Sequence, residues 1–352
     1  MREQSNLDKG QHMDNPAKSA PPITGKRKRK LKQKAEKQQQ KAEKKEAAKG
    51  KRFGTVLTVM QAILTGAFLA ILLILGIVPT VFFLGTLAML LLLLLFTFKN
   101  RKKRGMAAVF SRILAMLMSL VLLCGCVTCG YLEYTLHSLQ MGKGAPEIEV
   151  KERSFAIYIN GSDGAIEEDQ ESDFHLLLVA QPKTKQAVLL QIPSEYYMTF
   201  PKISNGKRDL FGRASLHGMG AATEALGYLY ETNIPFFVKV NLNGSRPTDL
   251  EGLAKAFAET VRKDPKNLLL GGVKEQIRTN LSKKQIADLV KMGSDKGWKV
   301  THLHAEGQES SNYTFTNPKD LEFVITPSKD SVQMIVEVID QLENSEAITL
   351  KQ

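Results

Sequence analysis

The chain is poor in cysteine, has a single tryptophan, and carries no acid through a long apolar stretch. Its three cysteines, Cys124, Cys126 and Cys129, share one apolar run, and everything after them has none. A disulfide-built ectodomain of the eukaryotic kind is therefore excluded, whereas an exported bacterial domain fits. No His, Asp or Glu stands among these three, so a metal or redox centre lacks converging ligands and small apolar packing is expected.

The 352 residues carry a net charge of +12 with 43% hydrophobic content, enough for a membrane region and one ordinary domain. The charge is unevenly placed. Residues 1–52 hold 17 Lys and Arg against 6 Asp and Glu, a balance of +11, and Lys99-Asn100-Arg101-Lys102-Lys103-Arg104 adds +5. Subtracting both from +12 leaves −4 for the rest, so basicity belongs to two short segments. Residues 1–52 have almost no large apolar side chains and are expected to be a basic tail, disordered or only transiently helical, beside anionic lipid. Without aromatic interleaving or a reading module, no nucleic-acid partner is expected.

From Phe53 to Phe98 the chain is almost uncharged, long enough for two membrane-crossing helices that turn near Gly76-Ile77-Val78-Pro79-Thr80. A third follows the basic hexapeptide, interrupted only by Arg112, which can snorkel. The expected spans are about 53–75, 79–98 and 106–131, with residues 99–104 as a basic cytoplasmic loop. The positive-inside bias places the tail and hexapeptide inside and everything beyond about residue 135 outside a cell membrane crossed three times. A cleavable secretory signal is not expected, because a long charged tail precedes the apolar run.

Residues 133–153 read as a linker, 154–343 as an extracytoplasmic domain and 344–352 as a tail. In "SFAIYING" apolar residues alternate before a polar Asn-Gly-Ser-Asp-Gly loop, as in a strand. "DFHLLLVAQ" and "QAVLLQIP" form a hairpin covered on both faces. Strands are also expected in "IPFFVKVNL", "WKVTHLHA" and "LEFVITP". Helices are expected at about 214–231, 248–263, 267–279 and 282–295, the last opened by a Ser282–Gln285 capping box, and "SVQMIVEVIDQL" closes the domain. The fold class is α/β, a mixed β-sheet flanked by helices and preceded by three transmembrane helices.

The order "FAIYINGSD", "SDFHLLLVAQPKTKQAVLLQIP", "IPFFVKVNL" and "SNYTF" resembles the LytR-CpsA-Psr family of bacterial envelope proteins over residues 154–343. The three-span anchor with a basic tail resembles its CpsA-like branch. The resemblance implies transfer of a glycopolymer from a polyprenyl diphosphate to the cell wall. It also implies a lipid enclosed by sheet and helices, arginines on the diphosphate, and aspartates that help bind Mg²⁺ or Mn²⁺. Chemistry of this kind rests on positioning and charge neutralisation.

Against the family pattern, Gly161-Ser162-Asp163 keeps the first motif and Glu171-Ser172-Asp173 inverts the charge of the second. Ile192-Pro193-Ser194-Glu195 loses the arginine of the third. The family's Asp-Lys-x-x-His-Ala falls on Asp209-Leu210-Phe211-Gly212-Arg213-Ala214, which loses the lysine at Leu210 and puts arginine in place of histidine. A frequent strand arginine falls on Lys239, which cannot reproduce a bidentate clamp. A long central block with its Arg-x-Arg pair has no counterpart. Lys202, Lys207, Arg208 and Arg213 form a cationic stretch able to compensate, and Asp163 and Asp173 are the candidate metal ligands.

Three functions follow. The first is a degenerate, non-catalytic relative that binds a polyprenyl-linked glycan or a partner among envelope-synthesis proteins. The second is a divergent phosphotransferase, and the third a transcriptional regulator, for which no DNA-reading fold is visible. His302 and His304 share a strand face with metal-binding spacing but no third ligand. Ser194 as a nucleophile would need His175 or His217 beside it.

Overall fold

The computed structural model describes residues 25–100, 105–141, 148–163, 166, 171–201, 206–245, 247, 251–255, 259, 272–346 and 348. Three helices, α1 (Gly25–Leu75), α2 (Thr80–Asn100) and α3 (Met106–Leu139), each contain a stretch long and apolar enough to cross a membrane. Two differences from the sequence reading stand out. Residues 25–52 are helical rather than disordered, because Ala, Glu, Gln and Lys are strong helix formers that extend the helix of the first span without an interruption. Helix α3 continues past Tyr131 to Leu139; at about 51 Å it exceeds the apolar thickness of a bilayer.

The chain divides into two compact units. One is built from the chain up to Gln61 with Leu93–Leu117, the other from Ala62–Leu92 and Met118 onward. In the first, the Thr97 hydroxyl donates to Gln61 Oε1 at 3.0 Å. In the second, a Cβ at Gly125 would lie 2.8 Å from the Phe68 ring, so glycine permits that helix contact.

The second unit contains the domain. Its main sheet comprises β1 (Phe155–Ser162), β2 (Phe174–Gln181), β3 (Gln186–Gln191), β6 (Phe236–Asn241), β7 (Ile277–Thr279) and β8 (Lys299–His304), in the order β7-β6-β1-β2-β3-β8. Strands β1–β6 and β3–β8 pair in parallel, and β1–β2, β2–β3 and β6–β7 antiparallel, so the sheet is mixed. Strands β1 to β3 are almost entirely buried, which explains their continuous apolar runs. Two short pairs lie apart from it: β4 (Tyr197–Thr199) with β5 (Arg208–Leu210), and β9 (Gly307–Asn312) with β10 (Glu322–Pro327).

Helices cover both faces. Ala222, Ala225 and Leu226 of α4 (Met219–Leu229) and Ile335, Val338, Ile339 and Leu342 of α6 (Lys329–Glu343) pack with Tyr158, Leu177, Val179 and Leu190. Ile286 and Leu289 of α5 (Lys283–Gly293) pack on the other face with Phe155, Ile157, Leu176 and Leu189. The Ser282 capping box is formed.

The expected helix 214–231 is split into a 3₁₀ segment, Phe211–His217, and α4, because Gly218 sits at φ +87° and breaks the helical path. Of the expected helix 267–279, residues 267–271 lie outside the described residues, and among the rest a single turn at Val273–Gln276 is helical. Ile277–Thr279 is strand, since the open edge of β6 offers backbone partners. Most of the expected helix 248–263 lies outside the described residues.

The expected linker 133–153 contains ordered packing. Met141 N–H donates to Thr279 O at 2.8 Å, Arg278 Nη1 to Ser138 O at 3.1 Å, and Lys283 pairs with Glu133. Val150 is fully buried in the domain core.

Candidate functional site

The segments matching the second and third family motifs and the Asp209–Ala214 segment meet around Gly212. Gly212 N–H donates to Ser194 O at 2.8 Å, and Ser172 N–H to Gly212 O at 3.0 Å. A Cβ at Gly212 would stand 3.1 Å from Ser172 O and 3.2 Å from Ser194 Cβ, so only glycine allows the three chains this approach without displacing a neighbour.

Arg213, the next residue, is held by carboxylates. Its Nη1 and Nη2 donate to Glu322 Oε2 and Oε1, both at 2.7 Å, a bidentate fork. Nε donates to Glu171 Oε1 at 3.2 Å, and Asp209 Oδ1 lies 3.7 Å from Nη1. Thr314 and Thr316 hydroxyls complete the ring at 3.3 and 3.0 Å from Nη1. The hydrogen bonds from Arg213 hold the Glu322 carboxyl at about pKa 2, and Thr314 Oγ1 also donates to it at 2.6 Å. Hydrogen bonding to Glu322, outweighing burial, pushes the guanidinium up in turn. Asp209 is buried and accepts from Leu210 N–H, Thr316 N–H and the Thr316 hydroxyl.

Beneath this lies a buried polar network on one sheet face. Asn160 Nδ2 donates to Ser172 Oγ at 2.7 Å and to Tyr158 Oη at 3.0 Å. His175 Nε2 lies 3.0 Å from Ser172 O, and Nδ1 lies 2.7 Å from the Tyr158 hydroxyl. The pattern closes with His175 neutral and protonated on Nε2, so that Nδ1 accepts from Tyr158. Burial lowers His175 to about pKa 4 and pushes the Tyr158 hydroxyl up. The register sets His175, Asn160, Lys239 and Arg278 side by side across β2, β1, β6 and β7. Lys239 is 1% exposed, and Asn160 Oδ1 is buried without a hydrogen-bond partner.

The other sequence candidates lie as follows. Lys207 Nζ stands 5.7 Å from the Phe315 ring centre and Arg208 the same distance from that of Tyr197. Lys202 lies outside the described residues. Asp163 Oδ1 accepts Gly244 N–H at 2.8 Å, bracing the Asn243-Gly244 turn, while Asp173 is exposed and joins Gly161 O through its backbone N–H at 3.1 Å. Among the described residues no three His, Cys, Asp or Glu gather to hold a metal, for the aspartates or for the exposed His302 and His304. Glu195 is exposed and its carbonyl accepts from Ile325 N–H at 2.9 Å. Among the described residues no histidine is placed as a base for Ser194: both ring nitrogens of His175 are engaged, and His217 lies between Phe200 and Phe315.

Sequence reasoning missed Glu322, Thr314 and Thr316. Nothing in "SNYTF" or "LEFVITP" marks them as partners of a residue about a hundred positions earlier. The only signal is an acid opening a strand.

No protein-family model matches the chain, and no curated protein sequence matches it. Solved structures do. TagT of Bacillus subtilis is 14% identical over 58% of this chain and 98% of its own, with a TM-score of 0.41. TagV of the same organism is 14% identical over 56% and 99%, at 0.41. A LytR-CPS2A-psr family protein, YwtF (TagT), solved with bound octaprenyl pyrophosphate lipid, is 14% identical over 58% and 97%, also at 0.41. The solved structures that this chain resembles are LytR-CPS2A-Psr proteins.

Proposed function

We propose that this chain is a membrane-anchored, LytR-CpsA-Psr-like protein of bacterial envelope glycopolymer assembly that binds a polyprenyl-linked glycan without transferring it. The observation that carries the reading is the surrounding of Arg213 by Glu322, Glu171 and Asp209. Phosphoryl transfer needs cations facing the phosphates. Here one guanidinium meets three carboxylates, so the local balance is anionic. A carboxylate about 6 Å from a phosphate opposes it by roughly 3 kcal/mol at an effective dielectric of about 20. Hydrogen bonds to charged groups contribute about 1.5–3 kcal/mol each, and the arginines expected at positions 171 and 194 are Glu and Ser.

The sequence order of motifs and the three apolar helices support the family and the anchor. The positive-inside bias supports a cytoplasmic N-terminus and an extracytoplasmic domain. A divergent transferase is the second reading, favoured by Lys239, a buried cation in register with Asn160.

The deciding experiment incubates the purified full chain with a labelled glycan on a lipid diphosphate, peptidoglycan fragments, and Mg²⁺ or Mn²⁺. Binding of the donor without product is the expected result. Product formation that Lys239→Met or Asp173→Ala abolishes overturns the non-transferring reading. Absence of donor binding points instead to a partner-protein role.

A further inference from the structure

One segment, Tyr313–Glu322, lies against Arg213 and Lys207. Glu322 grips Arg213 through both oxygens, Phe315 lies against Lys207, and Phe315 N–H donates to Arg208 O at 3.0 Å. The segment's inward contacts are polar. Thr316 binds Asp209 through backbone N–H and hydroxyl, and Asn317 N–H donates to Thr314 Oγ1 at 3.1 Å. Its outward side is apolar: Tyr313 and Leu321 are more than half exposed and Phe315 a third. The Arg213 and Glu322 side chains keep 19% and 18% of their surface in solvent, so a soluble anion can reach the pair.

A carboxylate in a bidentate fork on arginine has the same two-oxygen geometry as a phosphate. We propose that the Glu322 carboxylate is the internal occupant of a phosphate seat on the Arg213 guanidinium, and that a phosphate-bearing ligand binds by displacing that carboxylate. The proposal rests on the reading that the domain holds a lipid-linked diphosphate, and it names the group that ligand competes with. The ligand is recognised by its phosphate; it can be a lipid diphosphate or a free one.

The test uses the full chain in detergent micelles, with farnesyl diphosphate and inorganic pyrophosphate as probes in equilibrium dialysis. Glu322→Gln is expected to tighten binding at least tenfold over the native chain. Thr314→Val, which removes a grip on Glu322 but leaves Arg213, should give a smaller gain. Adding Arg213→Gln to Glu322→Gln should cancel it. Gains for both probes assign the seat to the phosphate alone, and a gain confined to farnesyl diphosphate assigns it to the lipid-linked form. If neither probe binds more tightly to Glu322→Gln or Thr314→Val while thermal unfolding shows both folded, Glu322 is a structural partner only and the proposal is overturned. Turnover by the native chain would defeat the non-transferring reading without altering this result.

Discussion

At the scale of single residues, the pH response is set by two groups held in opposite ways. His175 is buried neutral, with a folded pKa near 4 against an ordinary value near 6.5. Above pH 6.5 both folded and unfolded chains leave it neutral. As pH falls from 6.5 towards 4, the unfolded chain takes a proton that the folded one resists, and stability is lost by up to about 3 kcal/mol. His175→Gln should flatten that slope, read from Trp298 emission in thermal melts between pH 7.5 and 4.5; an unchanged slope would exclude His175 as its origin. Glu322 acts lower. Its carboxyl is held near 2 by Arg213, so its contribution is complete above about 4.5 and disappears as pH falls towards 2. The segment covering Arg213 should therefore stay in place across the window in which His175 loosens the core.

Among elements, the β9–β10 pair matters most, because β10 carries Glu322 and its neighbour Ile325 binds the carbonyl of Glu195. Gly307 sits where β9 meets β10. A Cβ there would lie 2.4 Å from Thr326 O and 2.7 Å from Ile325 Cγ2, so backbone has to move. Gly307→Ala should cost about 1–3 kcal/mol, as overpacking does elsewhere. Hydrogen exchange should rise across residues 307–327 while β1–β3 stay protected. Uniform exchange would show that the hairpin does not loosen separately. Strand β9 and the β4–β5 pair are also what the sequence concealed, whereas β10 lies in the expected strand "LEFVITP". The concealed strands are three to six residues long, and β9 is almost wholly exposed, so no apolar period announces them. By contrast, β1, β2, β3 and the Ser282-capped helix were legible, since burial on both faces and a local cap leave their mark within a few residues.

For the whole molecule, the end of α3 and the domain form one connected structure through Glu133–Lys283, Ser138–Arg278 and Met141–Thr279. Lys283→Glu should lower domain stability by about 1–2 kcal/mol, and adding Glu133→Lys should restore most of it, measured by thermal unfolding in detergent. The proposed topology can be read in cells, in a background freed of Cys124, Cys126 and Cys129. Ser310→Cys should react with an impermeant maleimide and Gln39→Cys should not; the reverse pattern would invert the membrane orientation. The sequence by itself determined the three apolar spans, the fold class and the segments that carry chemistry, because hydropathy, period and caps act between near neighbours. Only the tertiary structure decided that the Asp209–Arg213, Glu171 and Ser194 segments converge on Gly212 and that Glu322 fills the arginine's fork. Pairings between residues more than a hundred positions apart depend on how the sheet and hairpin close, and no local pattern encodes that closure.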